Sequence, residues 1–155
     1  MATSGELENF DSLKGENGVA IFFVRSFDWC PYCQKQAIEV DGRAEEFRNR
    51  GLNPIFISYD TAVIQKNFYD KHQFTTTILS DHENAVINAF DVLNADSISE
   101  RSPLYGYPHP IVFIVDNAGV IQSKLYIENE NSAIGSSYKD RPEIDDILSA
   151  IDEMD

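Results

Sequence analysis

Apolar residues are grouped along this chain in short runs that are typical of buried β-strands. The clearest run is residues 19–24, where six apolar side chains, mostly β-branched or aromatic, follow one another without a polar interruption. Such a run predicts a strand that is covered on both faces, as in the centre of a parallel sheet. Further strands are predicted at residues 53–59, 75–79, 111–115 and 120–127, the last two joined by a tight turn at 116–119.

Residues with helical spacing separate these strands. After the first strand, Cys30 stands where a helix cap is expected and Pro31 suits the first helical position, so a helix is predicted from there to about Arg50. Residues 94–109, rich in Ser, Pro, Gly and Tyr, are predicted to form a long loop. Further helices are predicted at about residues 62–72, 83–91 and 142–154, the last with a buried stripe of Ile144, Ile147, Leu148 and Ile151.

The order of these elements predicts an α/β fold. Two strand–helix pairs, a linking segment, a hairpin and a closing helix fit a central mixed β-sheet flanked by helices on both faces. A Cys-x-x-Cys motif follows the first buried strand, at its carboxyl end, which is the layout of a thioredoxin-like domain. The length of 155 residues suits one such domain over 1–155, in which 1–14 form a polar N-terminal segment.

The balance of charge narrows the choice of partners. Twelve Lys and Arg residues against 26 Asp and Glu residues leave a net charge of -14. This charge repels phosphate backbones and anionic lipid, so neither nucleic acid nor a membrane is expected as a partner. No apolar run approaches the roughly 20 residues of a membrane span, and no signal peptide is visible. We therefore expect a cytoplasmic protein, although a mature exported chain would show the same pattern.

Cys30 and Cys33 are the only cysteines of the chain and carry its clearest chemistry. The dipole and free N–H groups at the start of a helix favour the thiolate of Cys30. Cys33 lies one turn deeper on the same face, within reach of Cys30. We therefore expect an exposed nucleophile, Cys30, and a shielded resolving thiol, Cys33, which is what two-step disulfide exchange requires. No cofactor is expected.

Two other interpretations of the cysteine pair are weaker. A zinc site needs more ligands, but His72, His82 and His109 show no His-x(3–5)-His spacing and there is no second cysteine pair. A buried, inert pair is the second alternative, although a Cys-x-x-Cys between a buried strand and a helix is typical of redox proteins. The expectation is a redox pair without a metal.

A second candidate segment, 107–110, directly precedes the strand at 111–115. In a thioredoxin-like fold this loop faces the Cys-x-x-Cys, so we predict that the His109–Pro110 peptide is cis and packs beside Cys30. His109 is a candidate for proton transfer, with a purely structural role as the alternative. His72 and His82 are expected at the surface. The residues predicted to bind substrate are Trp29, Pro31, Tyr32, His109 and Pro110.

Several stretches of the chain resemble the redoxin (AhpC/TSA, peroxiredoxin-like) family of thioredoxin-fold proteins. They are FFVRSFDWCPYC, NPIFISYD, TTTILSDHENAVINAF, YGYPHPIVFIVDNAGVI and SSYKDRPEIDDIL, which together cover nearly the whole chain after about residue 18. The Cys-Pro-Tyr-Cys core is also similar to that of glutaredoxins and of periplasmic thiol-disulfide oxidoreductases. The resemblance implies that Cys30 is the reactive cysteine, Cys33 the resolving one and Pro110 the cis proline.

The chain departs from the peroxiredoxin pattern around the reactive cysteine. Typical members carry Pro-x-x-x-Thr/Ser-x-x-Cys, and this chain has Phe23 and Phe27 at the proline and hydroxyl positions. The arginine that the family places beside the peroxide falls at Pro110. Arg25 and Ser26 are therefore the candidates for a peroxide pocket. Without the family's groups, cleavage of the O–O bond loses electrostatic support.

Three functions follow from these observations. The leading prediction is a thiol-disulfide oxidoreductase that acts on a protein or small-molecule disulfide through Cys30 and Cys33. The first alternative is a thiol peroxidase that reduces a hydroperoxide through Cys30, with a thioredoxin-type or glutathione-type electron donor. The second is a non-catalytic thioredoxin-like binding module whose acidic C-terminal end contacts a basic partner.

Overall fold

A five-stranded mixed sheet forms the centre of the computed structural model, which describes residues 8–94, 106–127 and 140–154. The strand order is β3-β2-β1-β4-β5. Neighbours β1, β2 and β3 run parallel, whereas β4 is antiparallel to both β1 and β5. The strands are β1 (Gly18–Phe23), β2 (Leu52–Ser58), β3 (Thr77–Ser80), β4 (Ile111–Asp116) and β5 (Ile121–Leu125). The predicted α/β class and mixed sheet are confirmed.

The predicted helices lie close to their expected positions, and a further short helix, α1, was not predicted. The helices are α1 (Phe10–Leu13), α2 (Pro31–Gly42), α3 (Ala44–Arg48), α4 (Ala62–Lys71), α5 (Ala85–Ala89) and α6 (Ile144–Asp152). The helix predicted to run unbroken to Arg50 is divided at Arg43, whose φ of -119° and ψ of 17° are not helical. The Arg43 guanidinium bonds Glu46 and also Asp145 of α6, so this residue connects the two helix segments with a distant element.

Side chains cover the sheet in two layers. On one face, residues of α2, α3, α4 and α6 pack against Phe22, Phe56 and Ile114. The stripe of α6 takes part through Ile147, Leu148 and Ile151, while Ile144 packs at the edge. On the other face, a smaller cluster includes Ile87 of α5 and Val92, with Phe10 and Leu13 packed against its edge. The larger layer contains both cysteines, so the helices on this face position the site.

The segment that enters β4 is paired backbone rather than a free loop. Val92 accepts a hydrogen bond from the His109 N–H at 2.7 Å, and the Asn94 N–H bonds the Tyr107 carbonyl at 3.1 Å. Every peptide bond among the described residues is trans, so the prediction of a cis His109–Pro110 peptide is wrong. This short antiparallel pairing keeps the chain extended, and an extended chain suits the ordinary trans isomer. Residues 95–105 of the predicted long loop lie outside the described residues.

No helix in the described ranges has both the length and the apolar character to cross a membrane.

Candidate functional site

The candidate site lies at the carboxyl end of β1, the middle strand of the sheet. The chain leaves β1 at Phe23, and the Val24 N–H bonds the Ile57 carbonyl at 3.0 Å, so Val24 is still held beside β2. A six-residue connection, 25–30, then leads to α2. This connection and the first turn of α2 contain both cysteines and most of the residues that the sequence singled out.

Cys30 caps α2 as predicted. Its backbone is extended, its Sγ accepts the Cys33 N–H at 3.3 Å, and Pro31 occupies the first helical turn. Pro31 lacks an N–H at a position where the helix leaves that group without a partner, so the sequence suits this start. The helix therefore directs an N–H donor, and the positive end of its dipole, toward the sulfur of Cys30.

The two sulfurs are shielded from solvent more evenly than expected. Cys30 and Cys33 are each 0% exposed. The prediction of an exposed Cys30 is therefore wrong, because side chains around the start of α2 enclose it. Cys33 lies beneath it, where its Sγ accepts the Arg25 N–H at 3.2 Å. The predicted proximity of the two thiols is confirmed, since the two side chains are hydrogen-bonded to each other.

Arg141 is the cation closest to the sulfur pair in the described part of the chain. Its Nη2 lies 3.0 Å from the Cys33 Sγ and 3.7 Å from the Cys30 Sγ, and its Nη1 donates to the Gln36 side chain at 2.9 Å. Sequence reasoning did not identify Arg141 as a site residue. It lies more than 100 positions from the motif in an acidic segment, so no local spacing connects it to the cysteines.

The surroundings of the two thiols shift their pKa values in opposite directions. Burial raises the pKa of the Cys33 thiol, but the hydrogen bond from Cys30 and the charge of Arg141 together lower it to about 6. Hydrogen bonding to Cys33 and burial raise the pKa of Cys30 above its ordinary value. The contacts of Arg141 and of the Arg25 N–H thus favour the charge on Cys33, whereas the helix start led us to expect it on Cys30.

A cluster of aromatic rings encloses the Arg25 side chain beside Cys30. The guanidinium carbon lies 4.8 Å from the centre of the Trp29 ring and 5.0 Å from that of Tyr107. The Arg25 Nη1 is 4.0 Å from the Cys30 Sγ. The Trp29 Nε1 donates to the Tyr59 hydroxyl at 2.9 Å. Arg25, a candidate for a peroxide pocket, thus lies at the sulfur pair, and Tyr59 and Tyr107 are neighbours that the motif alone did not indicate.

The hydroxyl of Ser26, the other candidate for a peroxide pocket, is engaged in hydrogen bonds within the protein. The Ser26 hydroxyl donates to the buried carboxylate of Asp60 at 2.7 Å and accepts the Asp28 N–H at 3.0 Å. Asp60 also accepts the Phe27 N–H and the Ser58 hydroxyl, both at 2.7 Å. Burial raises the pKa of Asp60 despite these bonds. This network holds the connection between β1 and α2 in place.

The remaining predicted residues lie around the motif or away from it. Pro31 and Tyr32 are exposed, and Tyr32 and Arg141 line a groove of about 710 Å³ between α2 and the segment that leads into α6. His109 and Pro110 are buried at the start of β4. His72 and His82 are exposed, as expected. Across the described ranges, no three His, Cys, Asp or Glu side chains come together in a way that could hold a metal ion.

Comparison with known proteins gives consistent results. The AhpC/TSA family profile matches residues 2–124. Chloroplastic peroxiredoxin Q of Oryza sativa subsp. japonica is 31% identical over 126 residues, covering 81% of this chain and 52% of that protein. Alkyl hydroperoxide reductase C of Staphylococcus aureus (strain N315) is 26% identical over 118 residues, covering 73% and 57%. The chain thus spans about half the length of the curated relatives it matches.

Solved structures show the same fold. Peroxidoxin BcpB from Mycobacterium tuberculosis has a TM-score of 0.76 at 20% identity, covering 99% of this chain and 90% of that one. Peroxiredoxin Q of Xanthomonas campestris has a TM-score of 0.74 at 18% identity, covering 97% and 87%. At this identity the likeness concerns the fold, and the profile match carries the assignment. The resemblance expected from the motifs is confirmed: the chain belongs to the AhpC/TSA family.

Proposed function

We propose that this protein is a thiol oxidoreductase that reduces small hydroperoxides and cycles between a Cys30–Cys33 dithiol and disulfide. The observation that carries the proposal is the pair of enclosed sulfurs with two arginine side chains beside them. Guanidinium groups stabilise a thiolate, and they also stabilise the oxyanion that forms when an O–O bond breaks. Membership of the AhpC/TSA family supports the same chemistry.

The enclosure of the sulfurs favours a small oxidant over a protein disulfide. Both sulfurs are fully buried, so a sulfur of a folded protein substrate has no room to approach either of them. A hydroperoxide is small enough to approach from the groove beside Tyr32, which Arg141 also lines while it contacts both sulfurs. In this proposal Arg25 and Arg141 supply the electrostatic support for O–O cleavage that the sequence pattern does not provide.

Cys30 is the proposed attacking sulfur and Cys33 the group that exchanges protons with it. As the Cys33 thiolate takes the Cys30 proton, the Cys30 sulfur attacks the terminal oxygen of the hydroperoxide. An S–O bond forms and the O–O bond breaks. The leaving oxygen takes the proton from Cys33 and departs as alcohol or water. We assign the attack to Cys30 because it ends the connection between β1 and α2 and is followed by the exposed Pro31. Cys33, by contrast, lies inside α2.

The second half of the cycle closes the disulfide. The Cys33 thiolate attacks the sulfenic sulfur of Cys30, the S–S bond forms, and the departing hydroxide takes a solvent proton as water. Overall, two thiols and one hydroperoxide give one disulfide, one alcohol and one water. A dithiol donor of the thioredoxin type, or glutathione, then reduces the disulfide through exchange.

Thiol–disulfide exchange is the second candidate, favoured by the position of Cys30 at the start of a helix. There the Cys30 sulfur would attack a substrate disulfide and Cys33 would release the product. This route requires that α2 or the connection before it opens, because Cys30 is enclosed.

Stopped-flow assays with hydrogen peroxide and with an organic hydroperoxide, using dithiothreitol as donor, test the proposal. We expect turnover by the native protein and none by Cys30→Ser. In Cys33→Ser, mixed with hydroperoxide in the absence of dithiothreitol, we expect one slower oxidation to a sulfenic acid that dimedone traps. A rate no better than that of a free thiol would rule the peroxidase out. A mixed disulfide trapped by Cys33→Ser on a protein disulfide would instead support exchange. If neither thiol reacts, the protein is a binding module.

A further inference from the structure

We propose that Trp29, Tyr59 and Tyr107 are positioning residues that hold the Arg25 guanidinium against Cys30 and so determine how readily this sulfur reacts. The inference rests on the proposed function, in which Cys30 is the attacking sulfur. It assigns a role to three aromatic side chains that take no part in the chemical steps themselves. We refer to Arg25, Trp29, Tyr59 and Tyr107 as the arginine clamp.

Two rings of the clamp contact the cation directly. The Arg25 guanidinium carbon is 4.8 Å from the centre of the Trp29 ring and 5.0 Å from that of Tyr107, both within the distance at which a ring attracts a cation. Arg25 is only partly buried, and a long side chain at a partly open position has many rotamers to sample. The rings restrict these rotamers to one that places the Arg25 Nη1 4.0 Å from the Cys30 Sγ.

The rings are themselves fixed by one another. The Trp29 Nε1 donates to the Tyr59 hydroxyl at 2.9 Å, which sets the orientation of the indole. The Trp29 and Tyr107 rings meet edge to face at 5.1 Å, and those of Tyr59 and Tyr107 at 6.2 Å. Tyr107 is anchored in turn by the Asn94 N–H on its carbonyl. The clamp is therefore closed: each ring contacts the other two.

The two arginines of the site contact the sulfur pair differently: Arg141 reaches both sulfurs, and the Arg25 guanidinium approaches Cys30 from the side of the aromatic rings. Arg141 lies nearer to Cys33, at 3.0 Å, than to Cys30, at 3.7 Å. The guanidinium of Arg25 makes its sulfur contact with Cys30. Loosening the clamp should therefore alter the reactivity of Cys30, while the charge that Arg141 stabilises on Cys33 stays in place.

The test uses Cys33→Ser as background, because it leaves Cys30 as the single thiol. The readout is the rate of alkylation by iodoacetamide as a function of pH, whose midpoint reports formation of the Cys30 thiolate. Loss of a cation at this distance raises such a midpoint by about one unit, which is the shift expected for Arg25→Gln. We expect Trp29→Ala to raise it by roughly half as much, and Trp29→Phe, which keeps a ring, to restore most of the native value.

A double-mutant cycle separates positioning from a general structural effect. If Trp29 acts through Arg25, adding Trp29→Ala to Arg25→Gln moves the midpoint little further. Tyr59→Phe, which removes only the hydroxyl that holds the indole, should shift the midpoint in the same direction by a smaller amount. Arg48→Gln is the matched control, because this arginine pairs with Glu45 on the surface of α3, and it should leave the midpoint unchanged.

Two results would overturn the clamp. One is an unchanged midpoint in Trp29→Ala, and the other is a shift that persists in full when Arg25 is already Gln. If a ring variant lowered the stability of the protein without changing the alkylation midpoint, the rings would have a packing role and no effect on Cys30. These readouts do not depend on hydroperoxide turnover. A native protein that fails to consume hydroperoxide would refute the proposed function, whereas the alkylation midpoints would still decide whether the clamp exists.

Discussion

At the scale of single residues, the charge of the sulfur pair depends on a side chain from the far end of the chain. Arg141 makes a charge-assisted hydrogen bond to Cys33 at 3.0 Å, and this contact offsets the cost of burying a thiolate. The helix start contributes the Cys33 N–H to Cys30 but does not by itself place the charge there. The motif alone thus identifies the two thiols but not the distant arginine that stabilises a charge on them.

Removing the charge of Arg141 should move the ionisation of the pair. The pKa of Cys33 is lowered to about 6, so the native protein should gain thiolate absorbance at 240 nm as the pH rises through about 6. Arg141→Gln should raise this midpoint by about 1–3 units, and Arg141→Lys by less. Arg48→Gln, which removes the same positive charge elsewhere in the protein, serves as the control. A native midpoint near 9 would contradict the assignment.

Asp60 should affect stability in a manner that depends on pH. Its pKa in the folded protein is raised by burial, so its contribution to stability is fully present below the unfolded value and is lost as the pH rises through the folded value. Urea unfolding measures the free energy of unfolding of the native protein and of Asp60→Asn. The difference between them should favour the native protein more at pH 4 than at pH 8. An equal difference at both values would show that burial does not set this pKa.

At the scale of elements, hydrophobic periodicity predicted most strands and helices to within a few residues. The runs that became β1, β2 and β4 are apolar because both faces of the sheet are covered, and such runs are visible without any knowledge of contacts. The break at Arg43 was not predictable in this way. At the break Arg43 bonds Asp145 of α6, about 100 residues away in the chain, and no local pattern shows such a contact.

The closing helix α6 should contribute strongly to the larger core layer. Ile147 is fully buried against that layer, so Ile147→Ala should lower the free energy of unfolding by about 2–5 kcal/mol. Asp146→Ala, on the same turn but exposed, should change it by less than about 0.5 kcal/mol. Urea denaturation monitored by circular dichroism measures both. Equal effects of the two variants would mean that α6 is not docked as described.

At the scale of the whole molecule, the site is assembled from segments that sequence spacing cannot connect. The Cys-x-x-Cys and Arg25 are local, but Tyr59 follows β2, Tyr107 precedes β4 and Arg141 precedes α6. Arg25, Tyr59 and Tyr107 meet because the order β2-β1-β4 places the ends of those strands side by side. Arg141 joins them because α6 packs in the same core layer as α2. The pairing of 92–94 with 107–109, directly before Pro110, is likewise a tertiary contact that sequence spacing does not show.

This assembly has a consequence for the redox equilibrium of the protein. Arg141 and Arg25 stabilise a thiolate, and formation of the disulfide removes that charge while both cations stay in place. The reduced form is therefore favoured, as in strongly oxidising dithiol proteins.

Arg141→Gln should weaken this preference about tenfold, which lowers the reduction potential by about 30 mV. Fluorescence of Trp29, measured in glutathione buffers of graded ratio, reports the equilibrium because the indole lies next to Cys30 in the chain. The same equilibrium in Arg141→Gln and in the native protein, with Arg48→Gln as reference, would show that the Arg141 charge does not select the reduced state.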